Sequence, residues 1–134
     1  MYDRTLGVLF IGGANVNLEM VIAGLAEVCR AIPVLYVLGN HEFYREKFPG
    51  LIDKLKMGAE GTNVHVLEND SVEIGGFPFF GCTLWSDMEL LGDLHVSSIA
   101  AADTMNDYRL NRHSKTYRRL SPKDTRMYHF RSVR

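Results

Sequence analysis

Two short apolar runs that each stop abruptly on glycine constrain this chain more than any other feature. Leu6 to Ile11 runs into Gly12-Gly13, and Val34 to Leu38 runs into Gly39. Uninterrupted apolar stretches of this length suit strands buried on both faces. Between them Val21, Ile22, Leu25, Val28, Cys29 and Ile32 recur at helical spacing, with Asn17 as a candidate N-cap, Glu19 near the positive helix end, and Pro33 closing the stretch. Strand, helix and strand in that order predict a crossover unit with parallel strands. Such a unit sets Gly12-Gly13 and the turn Gly39-Asn40-His41-Glu42 side by side at the carboxyl ends of neighbouring strands, where open α/β sheets bind ligands.

Beyond that unit, Leu51, Ile52, Leu55 and Lys56 mark the faces of a second helix over Phe48 to Ala59, with Gly58 and Gly61 near its stop. The texture then changes to short strands, Val64 to Leu67, Ser71 to Ile74 and Phe77 to Leu84. Turn signals at Asn69-Asp70 and Gly75-Gly76 make this stretch an antiparallel hairpin region. Residues 88 to 105 read as mainly helical, and Ser121 followed by Pro122 reads as an N-cap and an N1 proline. The fold class is α/β, in one domain spanning residues 1–134. Apolar content of 46% with 23% charged residues excludes a disordered or fibrous class. The absence of a spanning apolar run and of a signal peptide at Met1-Tyr2-Asp3-Arg4 predicts no membrane partner and a cytoplasmic location. Cys29 and Cys82 have no metal or redox spacing and read as small hydrophobes.

Charge is near balance overall but unevenly placed. Residues 1–108 hold 6 Lys and Arg against 15 Asp and Glu, whereas residues 109–134 hold 9 against 1. That basic segment fits either a nucleic acid or another polyanion as partner, or neutralisation of the acidic remainder of the same fold.

The Gly39-Asn40-His41-Glu42 turn places an amide oxygen, an imidazole and a carboxylate at a strand end. An amide oxygen is a neutral hard ligand for Mg, Mn or Fe, and an imidazole donates a proton near neutral pH. The turn resembles the GNH(D/E) signature of calcineurin-like metallophosphoesterases. The stretches VLYVLGNHEFY, NVHVLENDSVEIGGFPFFGCTLWSDM and MNDYRLNR with RLSPKDT are similar to the central part of a bacterial branch of that superfamily, and the likeness covers roughly Leu6 to the C-terminus. The resemblance implies a four-layer αββα sandwich, of which this chain is an incomplete part, acting on a phosphate ester substrate. It implies two divalent metal ions (Mn, Fe, Mg or Zn) about 3.5–4 Å apart that polarise the phosphoryl group and generate hydroxide. By position Asn40 inherits a metal ligand's role, and His41 the catalytic role of stabilising the transferring phosphoryl group or protonating the leaving oxygen. Asp87 belongs to the stretch similar to the family's site-facing loop; it either contacts substrate or caps the following helix.

Other ligands of the family pattern have no counterpart. Asp3-Arg4-Thr5 offers no Asp-x-His pair, Gly13 stands where the metal-bridging Asp belongs, and the Gly-His-x-His motif would fall beyond Arg134. His65, His95, His113 and His129 have no tight metal spacing. The expectation is therefore a truncated phosphatase-like hydrolase with little dinuclear metal occupancy and impaired activity. The alternative is a non-catalytic module binding a phosphate polymer through residues 109–134. Exposed sheet edges and apolar faces would favour self-association.

Overall fold

The computed structural model describes residues 10–11, 14–90 and 92–134. Gly12-Gly13, Asp3-Arg4-Thr5 and most of the Leu6 to Ile11 run lie outside them. The chain is a mixed α/β protein with parallel and antiparallel strand pairs.

The expected pairing of the Leu6 to Ile11 run with Val34 to Leu38 lies largely outside the described residues. Strand β1 (Phe10–Ile11) pairs antiparallel with β2 (Ala14–Asn15), ahead of helix α1 (Val16–Val28). Strand β3 (Val34–Val37) pairs in parallel with β5 (Val64–Leu67), in the register Val34 to Val64 through Val37 to Leu67. Helix α2 (Gly50–Ala59) lies between these two strands in sequence and buries Leu51, Ile52, Leu55 and Ala59. The apolar face of α2 covers Val64 and Val66 from one side, while Leu35 and Val37 of β3 are exposed, so β3 is not buried on both faces as its unbroken apolar run suggests.

Helix α1 also differs from expectation. Asn17 is its second residue rather than its cap, and the helix stops at Val28, four residues short of Ile32. Two causes act together, one local and one distant in sequence. Pro33 disfavours helical backbone at Ile32, and the Asn63 amide donates to the carbonyls of Cys29 at 2.5 Å and Ile32 at 2.7 Å, satisfying groups that another helical turn would have used.

Strands β6 (Asp70–Ile74) and β7 (Phe77–Gly81) form the expected antiparallel hairpin, turned by Gly75 at φ 60° and Gly76 at φ 82°. At the end of β7 a methyl on Gly81 would sit 2.5 Å from Leu67 Cβ, so the absence of a side chain lets this strand approach β5. Phe77 and Phe80 of the hairpin are 70% and 61% exposed, the kind of apolar surface that invites association. An irregular stretch follows from Cys82 to Leu90, and helix α3 (Leu94–Thr104) begins from N-cap Asp93, which accepts from the backbone N–H of His95 and Val96. Helix α4 (Asp107–Leu110) and helix α5 (Pro122–Ser132) complete the chain, α5 starting from Ser121 as the sequence indicates. Two-residue strands β4 (Lys47–Phe48) and β8 (Arg112–His113) pair in parallel and tie the segment after the glycine turn to the basic region. Among the described residues no helix is long and apolar enough to cross a membrane.

Candidate functional site

Strand β3 delivers the chain through the buried Leu38 into Gly39-Asn40, and a single 3-10 turn, His41–Phe43, follows. The turn is closed by its own residues. The Gly39 N–H donates to a Glu42 carboxylate oxygen at 2.9 Å, and the Phe43 N–H donates to the Asn40 carbonyl. A Cβ on Gly39 would lie 3.1 Å from that same Glu42 oxygen, a close approach to the end of a flexible side chain. Phe43 then plugs the turn into the core. It is wholly buried, packed edge to face on Phe48 at 4.7 Å and against Trp85 at 6.0 Å between ring centroids.

Asn40 is held from a distant part of the chain. Its Nδ2 donates to Oδ1 of Asp107 at 2.8 Å, across 67 residues, while the Tyr44 hydroxyl donates to Asp107 Oδ2 at 3.4 Å. Asp107 is 2% exposed. Burial, with the Asp107 charge beside it, pushes the Tyr44 hydroxyl above its ordinary range, so Tyr44 stays a proton donor here. His41 is exposed, and its ring lies against Tyr44 with centroids 4.6 Å apart.

Beside Asn40 opens a cavity of about 300 Å³. Gly39 and Asn40 line one side, Thr83 to Ser86 with Met88 a second, and Met105 with Tyr108 a third. The second wall is fixed by long-range contacts. Glu68, just past the end of β5, accepts from the Thr83 N–H at 2.8 Å and its hydroxyl at 2.6 Å. From α5, a ring nitrogen of His129 bonds the Trp85 carbonyl, and the Arg126 Nε donates to the Asp87 carbonyl at 3.0 Å. Leu84 at φ 46° and Met88 at φ 65° hold left-handed backbone, a cost of about 1 kcal/mol or more each for non-glycine residues that surrounding contacts must offset. The Ser86 hydroxyl accepts from the Met88 N–H and keeps its own proton for a ligand.

Of the residues singled out by sequence, Asn40 lines this cavity, and His41 follows it on the exposed side. Asp87 does not face the cavity, although Ser86 and Met88 on either side do; its carboxylate accepts from the Glu89 N–H at 3.0 Å, and the cap of the following helix is Asp93. His65 lies on β5, His95 on α3, and His113 on β8, where its ring accepts from the Lys115 N–H. Among the described residues no three His, Cys, Asp or Glu side chains converge on one point. The donor chemistry beside the cavity is one neutral amide oxygen with two carboxylates behind it, and both oxygens of Asp107 are already engaged. Among the described residues no Asp, Glu, His or Cys side chain lines the cavity, so the lining present does not fit the pair of ions that the motif's resemblance implies. Several cations of residues 109–134 are engaged by groups of the same chain at its surface. Arg118 makes a two-pronged ion pair with Asp124, Arg126 pairs with Glu89, Arg109 reaches the Asp103 carbonyl, and Arg131 lies over the Tyr128 ring.

Asp107 and Glu68 act across 67 and 15 residues and escape a reading of local pattern. Asp107 had one signal: it is the sole acid in MNDYRLNR, between Met105 and Tyr108.

Among curated proteins, an uncharacterized protein of Acanthamoeba polyphaga mimivirus is 32% identical over 83 residues, covering 58% of this chain and 28% of the viral protein. The chain thus spans less than a third of the length of that relative. No family profile and no solved structure matches the chain.

Proposed function

We propose that the chain carries one wall of a phosphate-ester site of the calcineurin-like metallophosphoesterase kind, on part of an αββα scaffold, and that as it stands it hydrolyses phosphate esters poorly. One observation carries this reading. Asn40, the loop Thr83 to Ser86 and the pair Met105 and Tyr108 come from three separate stretches that resemble the family, and they line a single cavity. Asn40 has the position of a metal ligand, and His41 that of the proton donor to the leaving oxygen.

The electrostatics explain the poor hydrolysis. The ionisable groups hydrogen-bonded to this turn are Glu42 and Asp107, both acids. A phosphate dianion therefore meets repulsion here unless cations intervene, and Gly13 supplies no carboxylate at the position from which the family bridges two of them. Ser86 offers a hydroxyl donor to a bound ester oxygen, which orients substrate without activating it. In the family two bound ions supply the nucleophilic hydroxide.

Metal analysis and hydrolysis of a generic aryl phosphate with added Mn test the proposal. The expected result is less than one tightly bound ion per chain and turnover near background, unchanged in His41→Ala. Two tightly bound ions with turnover abolished by His41→Ala would overturn the claim of impairment.

A further inference from the structure

We infer that the exposed face of the β4–β8 ladder binds single-stranded nucleic acid through a row of three cations, Lys47, Arg112 and Arg119, with Tyr117 beside them as a platform for a base. The register sets the row. Lys47 is the partner of Arg112 across the parallel pair, and Arg112 is the partner of Arg119 across an isolated antiparallel bridge, so the three side chains leave the same face of adjacent backbones. All three residues are exposed, whereas Phe48, the next residue of β4, alternates to the other face and is wholly buried. Strand spacing of about 5 Å makes the row about 10 Å long.

Folding alone gives no reason for such a row. Like charges directly opposite one another across a sheet repel and weaken it, and among the described residues no carboxylate pairs with any of the three. Within the basic segment Arg118 and Arg126 are paired with Asp124 and Glu89, whereas Arg112 and Arg119 face solvent without an acid. Lys47 comes from the acid-rich part of the chain and joins them only in the fold. A row of uncompensated cations is complementary to a row of phosphates. Its second element is aromatic. Tyr117, whose N–H closes the turn after β8 by donating to the His113 carbonyl, is 62% exposed at φ 57°, with Lys47 Nζ 4.5 Å from its ring centroid. That contact accounts for one of the three charges and leaves the two arginines unexplained. Cations that track a backbone beside an exposed ring on which a base can stack are the equipment for single strands. An acidic peptide carries no base for the ring, and a bilayer holds three cations only weakly without an apolar anchor. The row is independent of the cavity at the end of β3.

The test uses the whole chain and a fluorescein-labelled oligothymidylate of about 12 nucleotides, within the usual single-strand site sizes. The oligonucleotide should bind at low salt, and the logarithm of affinity should fall against that of salt with a slope of about −2, from three phosphates at about 0.7 each. Arg112→Gln should reduce the slope by about 0.7 and weaken binding about 5-fold at about 0.1 M salt, and Lys47→Gln and Arg119→Gln should act alike. Tyr117→Asn, which keeps a residue tolerant of left-handed backbone, should weaken binding about 5-fold or more with the slope unchanged, because stacking releases no counterions. The melting temperature of Arg112→Gln should hold or rise, since a like-charge neighbour has gone, which separates lost binding from lost folding. Lys123→Gln, an exposed cation of α5 outside the row, should change affinity less than about 2-fold. Absence of binding at low salt, an unchanged slope in Arg112→Gln, an unaffected Tyr117→Asn or an equal loss in Lys123→Gln would overturn the inference. Equal binding of polyglutamate, or of vesicles of phosphatidylserine and phosphatidylcholine, would overturn it in favour of those partners. None of these outcomes bears on the role of Asn40.

Discussion

The two main walls of the cavity are built by opposite means. The Gly39 to Phe43 wall closes on itself: Glu42 caps Gly39, the Asn40 carbonyl accepts from Phe43, and every one of these contacts spans three residues. The Thr83 to Met88 wall has two left-handed residues and is held by Glu68, Arg126 and His129, which lie 15 to 44 residues away. The backbone of the first wall is encoded where it stands, although the Asn40 side chain on it is held by Asp107, whereas the second depends on the rest of the fold being in place. A site assembled this way keeps a recognisable motif on one side even when the other side is reshaped. The two walls meet physically in the aromatic cluster of Phe43, Phe48 and Trp85.

That cluster is where the contrast breaks most completely. Phe43→Ala removes a wholly buried ring common to both walls and should cost about 3–5 kcal/mol in chemical denaturation. Because Trp85 is the one tryptophan of the chain, its fluorescence should report the second wall loosening although the change was made in the first. Glu68→Ala sharpens the contrast instead. It leaves the Thr83 N–H without its acceptor, a loss of about 1–3 kcal/mol, and hydrogen exchange should rise at residues 83–88 while residues 39–43 stay protected.

Acid titration probes the helix that clamps the second wall. The Arg118 guanidinium, with Ser121 assisting against some burial, holds the Asp124 carboxyl down to about 2 from its usual 3.8. A carboxyl depressed by folding contributes stability above its unfolded value and loses it as pH falls toward the folded one. Stability should therefore drop between pH 4 and pH 2, by about 1 kcal/mol once solvent around the exposed Arg118 is allowed for. Asp124→Asn should flatten that part of the profile. Gly39→Ala should matter least. The new methyl meets only the end of the Glu42 side chain, which swings aside, so the cost should stay below about 1 kcal/mol and the second wall should not respond.

What the sequence disclosed follows the same division. The hairpin of β6 and β7, helix α2 and the Ser121-Pro122 start of α5 were legible because turn glycines, helical spacing and caps act within a few residues. The surroundings of β3 were not. Apolar character marked Val34 to Leu38 as a strand buried on both faces, but α2 covers the β3–β5 pair from one side, and Leu35 and Val37 are exposed. The end of α1 was misplaced because Asn63, more than thirty residues on, takes its terminal carbonyls. Asn40 was legible as a candidate because its turn is local. Asp107, which orients it, was not, since nothing nearby in sequence records a hydrogen bond across 67 residues.

Paramagnetic mapping with Mn on the nitrogen-15-labelled chain tests most directly whether the cavity at the end of β3 is the site. The expected broadening centres on Gly39 and Asn40, extends to Thr83 to Ser86 across the cavity, and disappears in Asn40→Ala. Broadening that spares Asn40 and centres on exposed acids such as Asp53 or Asp93 would contradict it.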